Sequence, residues 1–147
     1  MYLHVIQAYT PAANAFAGVS YSPWINAGLY GEVAFIISKG AGTGTMAITV
    51  ERADNQNGTN PQRTGFRFSK LIKPPGDVPV DPPRNVASRG IATLSNPEET
   101  LMVSINNTIG SKPWLRLVTT ELQAEPVCGS VVAVALKGRF GATATAL

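Results

Sequence analysis

The side chains able to do chemistry in this chain are few and scattered. There is one histidine, His4, and one cysteine, Cys128. A metal centre needs several His, Cys, Asp or Glu ligands converging on one point, and the chain has no HxxxH, HxH or CxxC pair to begin one. A Ser-His-Asp arrangement would have to use His4, and no Gly-x-Ser-x-Gly elbow presents a serine to it. Nine acidic residues are dispersed over several turns and give no preferred pair for glycoside hydrolysis; Glu98 and Glu99 adjoin a proline turn and are expected to be solvent-exposed. Asp54, Asn55 and Asn57 offer oxygens to a calcium ion, but the EF-hand spacing is absent and the cluster reads as a turn. Gly40-Ala41-Gly42-Thr43-Gly44 fits neither GxGxxG nor GxxxxGK[ST] and precedes no helix, so it carries no phosphate logic. The expectation is a protein without catalytic residues, metal or cofactor.

The elements that would hold such residues are strands. Leu29 to Asn60 reads as a β-hairpin around which the chain is organised. In its second arm Met46, Ile48 and Val50 alternate with Thr49 and Glu51, the period of two of a half-exposed strand. In the first arm Val33, Ala34, Phe35, Ile36 and Ile37 leave no polar gap, which predicts a core strand covered on both faces, by a second layer or a neighbouring subunit. The glycines from Gly40 to Gly44 supply the bend between the arms.

Further strands are expected at 2–8, 18–24, 65–72, 86–94, 100–106, 114–119 and 131–136. Turn-forming clusters separate them at 54–61, 95–99 and 106–110, and no helix or internal repeat is evident. The fold class is therefore all-β, an antiparallel β-sandwich of jelly-roll or Greek-key type. With 147 residues, the chain is expected to form a single domain, 1–147. Three segments stand apart from the ladders. Residues 10–18, small and Ala-rich, read as a loop or arm carrying Phe16. Residues 73–84 hold five prolines in twelve positions, cannot donate to a regular ladder, and read as a stiff polyproline-like arm. Residues 141–147 read as a flexible or partner-bound tail.

Composition narrows the partners. Charged residues make up 14%, well below the roughly 25% of ordinary soluble chains, so much of the surface is neutral or covered. The net charge of +3 is spread out, with only a mildly basic stretch from Arg63 to Arg89, too weak for nucleic acid. No stretch has the length or flanks of a membrane span or export signal, and Cys128 in its apolar setting reads as a small buried hydrophobe.

The run Gly31-Glu32-Val33-Ala34-Phe35-Ile36-Ile37 is followed by a Gly/Thr turn. Met46-Ala47-Ile48-Thr49-Val50-Glu51-Arg52-Ala53-Asp54, Asn57-Gly58-Thr59 and the late strand Trp114-Leu115-Arg116-Leu117 come after it. Together these resemble the capsid decoration or cement proteins of tailed bacteriophages, over residues 29–60 and 113–137. The resemblance implies a β-sandwich without enzymatic activity that binds the major capsid protein as a homodimer or homotrimer and stabilises the shell. It would sit on the virion surface after assembly in the host cytoplasm. The segments outside the shared pattern, 10–18 and 73–84, then supply the expected interface residues: Phe16, Pro74, Pro75, Val78, Val80, Pro82 and Pro83. An alternative is a tail or fibre sandwich that binds a receptor or glycan, with Trp24, Tyr21, Tyr30 or Trp114 stacking on sugar. A major coat protein is disfavoured by the absence of a basic arm.

Overall fold

Val33, Phe35 and Ile37 lie two residues apart, as do Met46, Ile48 and Val50, and every one of these six side chains is sealed from solvent. A period of two turns each trio to one face of its strand, and the fold follows from where those two faces meet. The computed structural model describes residues 4–12, 15–40, 44–71, 85–87, 90–94, 99–106, 112–122 and 129–138. In chain order the strands are β1 (His4–Ala12), β2 (Val19–Tyr21), β3 (Ile25–Asn26), β4 (Tyr30–Lys39), β5 (Met46–Ala53), β6 (Gln62–Thr64), β7 (Phe66–Leu71), β8 (Asn85–Ala87), β9 (Ala92–Leu94), β10 (Thr100–Asn106), β11 (Trp114–Glu121) and β12 (Gly129–Gly138). A single 3-10 turn, Ala27–Leu29, precedes β4, and no α-helix occurs among the described residues.

All pairings are antiparallel, and they form two sheets. The first runs β1-β12-β4-β10-β7-β8; the second runs β2-β11-β5-β6, with β3 also on β11 and β9 also on β5. Most sequence neighbours are not ladder neighbours, so the connections cross between sheets, as in jelly-roll and Greek-key sandwiches. The all-β antiparallel sandwich expected from the alternation is the observed architecture.

The central hairpin, however, does not form. β4 pairs with β12 and β10 in the first sheet, whereas β5 pairs with β11, β6 and β9 in the second. The chain crosses from one sheet to the other between Lys39 and Met46. The physical reason is burial. Set side by side, the two apolar trios would need a third layer to cover them, while on opposite sheets they cover each other. Leu101, Val103 and Ile105 of β10 and Val131, Ala133 and Ala135 of β12 complete the first sheet's inner face. Leu115 and Leu117 of β11 extend the second's. At about 1.5–3 kcal/mol for each large apolar side chain fully buried, this core supplies the main driving force for folding.

The segment 10–18 also departs from expectation. β1 continues to Ala12, and Phe16 is 0% exposed, its ring tilted against that of Tyr9 with centroids 5.8 Å apart. Phe16 is therefore a core residue of this chain and is withdrawn from the expected interface. An aromatic in a small-residue loop reads equally well as a projecting anchor or as a plug, and here it closes the end of the core beside Gly129. The stretch 86–94 splits into β8 and β9, which belong to different sheets. The expectation of a solvent-exposed Glu99 is overturned: the residue is 1% exposed. Pro74, Pro75, Val78, Val80, Pro82, Pro83, Cys128 and the tail 141–147 lie outside the described residues.

Candidate functional site

Two surfaces stand out once the strands are placed. One is the outer face of the first sheet. Alternation that sends Val33, Phe35 and Ile37 inward sends Ala34 and Ile36 outward. The ladder registers set Val134 beside Ala34 and Val5 beside Val134, and Val132 and Met102 beside Ile36. Ala34 is buried, Ile36, Met102, Val132 and Val134 are half-buried, and Val5 on the edge strand is 61% exposed. The result is an apolar strip across four strands. Its rim is polar: the Ser104 hydroxyl donates to Glu32 Oε1 at 2.6 Å, and Arg67 is exposed next to it. The expectation that β4 is covered on both faces is met fully on the inner side and in part on this one.

The other surface is the outer face of the second sheet. Arg116 projects outward from β11, flanked in phase by Trp114 and Val118, and stands opposite Glu51 of β5. Its Nε donates to Glu51 Oε1 at 2.9 Å, and its Nη2 lies 2.8 Å from the same oxygen. The guanidinium carbon sits 4.3 Å from the centroid of the Tyr21 ring and 4.5 Å from that of Trp24. A planar cation shared by two rings gains cation-π attraction on both, and the carboxylate fixes its orientation. Trp24 is backed in turn by Gly58, where an added Cβ would lie 2.7 Å from the indole nitrogen.

Gly58 belongs to the turn beyond β5, which is braced by its own side chains and by Lys112. Asn55 Oδ1 accepts from the Asn57 amide at 2.9 Å, and Asn55 Nδ2 donates to Thr59 Oγ1 at 2.9 Å. Asp54 accepts from Asn60 Nδ2 at 2.9 Å and pairs with Lys112 at 3.0 Å. The hydrogen bond from Asn60, and then that from Lys112, hold its carboxyl below the usual range. The Asp54 and Asn55 side-chain oxygens considered for calcium are thus engaged in holding the loop, and Asn57 takes part through its backbone N–H. Among the described residues no group of three His, Cys, Asp or Glu side chains converges as a metal site would require.

Of the aromatics considered for sugar stacking, Tyr21 is 53% exposed, Trp24 and Trp114 are half-buried, and Tyr30 is sealed in the core. Sequence reasoning named Tyr21 and Trp24 without seeing that a single arginine joins them, because Arg116 lies some ninety positions further along. The outward phase of Arg116 and Glu51 in their strands was the available signal.

No protein-family model and no curated protein matches this sequence. Among solved structures, the fold is similar to that of the SPBc2 prophage-derived protein YomS. The TM-score is 0.51 at 15% sequence identity, over 90% of this chain and 91% of that one.

Proposed function

We propose that this chain is a structural protein of a phage particle, a decoration or cement protein that binds the major capsid shell as a dimer or trimer and stabilises it. The observation that carries the reading is the half-buried apolar strip of Ile36, Met102, Val132 and Val134, with Val5 at its edge. Such a strip with a polar rim is the composition of an assembly face. A sandwich fold shared with a prophage-derived protein supports a phage setting, and the reading assigns the chain no catalysis and no cofactor. Completing the burial of half-exposed Val, Ile and Met side chains contributes less than the about 1.5–3 kcal/mol of full burial apiece. The linked protomers of a dimer or trimer, each engaging the shell, turn modest contacts into durable attachment.

The test is co-sedimentation of the purified chain with phage heads that lack it, together with light scattering of the chain alone. Saturable binding to heads by a small oligomer is expected. A strict monomer that leaves the heads bare would overturn the proposal.

A further inference from the structure

The capsid reading leaves the second sheet's outer face unused, and the following inference is independent of it. We propose that the open face of Tyr21, braced on Arg116, is a stacking platform for a pyranose ring of a neutral carbohydrate.

Tyr21 lies on β2, the terminal strand of its sheet, so no further strand among the described residues flanks it on that side. One face of its ring rests on the guanidinium, yet the residue remains 53% exposed, so its open area is the opposite face and the ring edge. Exposed aromatic rings are usually mobile; this one is held. Behind it come the Arg116 guanidinium, the Trp24 ring and the backbone of Gly58, and Glu51 fixes the arginine at 2.8 Å. A ring already ordered loses little entropy when a ligand lies on it.

The chemistry of the surroundings selects the ligand. A pyranose offers an apolar C–H face for the ring and hydroxyls that both donate and accept. Val19, two residues before Tyr21 on the same face of β2 and equally exposed, extends the apolar floor by about 7 Å, so that more than one sugar unit has a footing. Polar groups of both kinds lie on this side of the molecule. Arg63 faces Glu51 across the ladder, and Asn57 and Thr59 are exposed on the loop that backs Trp24. A single-stranded nucleic acid would also stack, but it needs a row of cations for its phosphates. Here Arg116 is neutralised by Glu51, and among the described residues that leaves Arg63 as the isolated cation on the face.

The experiment is a glycan array of neutral bacterial-surface oligosaccharides, probed with the full chain and with Tyr21→Ala, Tyr21→Phe and Arg116→Lys, each checked for folding by circular dichroism. The wild type is expected to bind at least one pyranose oligosaccharide. Tyr21→Phe should retain that binding within about threefold, Tyr21→Ala should lose tenfold or more, and Arg116→Lys should fall between them, because a lysine keeps the charge without the planar support. As a second readout on the unmutated chain, a saturating concentration of the bound sugar should protect Tyr21 from nitration. No binding to any oligosaccharide on the array, or equal binding by wild type and Tyr21→Ala, would overturn the inference. Either result would leave co-sedimentation with heads unaffected, so this inference and the capsid reading fail separately.

Discussion

The hydroxyl of Tyr9 lies 3.1 Å from Thr119 Oγ1 in the sandwich interior, and it donates its own hydrogen to the Ser20 carbonyl at 2.7 Å. A phenol has one hydrogen to give, so Thr119 is the donor of the second bond. Tyr9 belongs to the first sheet, and Ser20 and Thr119 to the second, so this pair ties the two layers together. A register shift between Gln7 and Tyr9 in the β1–β12 ladder aims the ring inward.

Tyr9→Phe keeps the ring and removes both bonds, leaving the Thr119 hydroxyl buried without its acceptor. The expected cost is about 1–2 kcal/mol of stability, measured by urea unfolding. No loss of stability would show that water or a rearranged Thr119 replaces the tie.

The same hydroxyl gives the fold an alkaline limit. Burial pushes the Tyr9 pKa up to about 12, with the hydrogen bond from Thr119 opposing the shift in part. A raised folded-state pKa means that the protonated form is the one stabilised. The contribution is therefore complete below about pH 10 and declines as the pH rises from 10 through 12, by about 3 kcal/mol in all. Stability against pH should fall across that window in the wild type and fall less in Tyr9→Phe.

Gly129 is held at φ +152°, and a Cβ there would lie 2.0 Å from the Ser38 carbonyl oxygen and 2.6 Å from Phe16. Backbone on one side and a sealed ring on the other leave no room to yield. Gly129→Ala should cost about 3 kcal/mol or more, visible as a large drop in melting temperature.

Gly58→Ala probes the base of the aromatic stack. Its φ of +75° is unfavourable for alanine by about 1–2 kcal/mol, and the new methyl would displace Trp24. A melting temperature lower by a few degrees and a shifted tryptophan emission are expected. Unchanged emission would mean that Trp24 does not rest on that glycine.

The fold class was legible because period-two alternation and turn clusters are local properties, and Met46, Ile48 and Val50 declare their buried face unaided. The partner of a strand is not local. β4, a glycine-rich bend and β5 compose a hairpin and a sheet-to-sheet crossing equally well, and only the burial of both trios against each other decides between them. The place of Phe16 is hidden for a related reason: its neighbours are small, so nothing nearby marks it as a core plug. The Tyr21-Arg116-Trp24 stack joins a short edge strand to a strand nearly a hundred residues later. Spacing in the chain carries no trace of that meeting.

In the proposed function, the outer face of the first sheet meets the phage shell. Ile36→Glu sets a charge in the middle of that strip, at a half-buried position outside the core. The most direct measurement is co-sedimentation of wild type and Ile36→Glu with phage heads lacking the protein, at equal concentration and with folding of both verified. Saturable binding by the wild type and at least a tenfold loss in the variant are expected. Equal binding by both, or none by either, would contradict the proposed function.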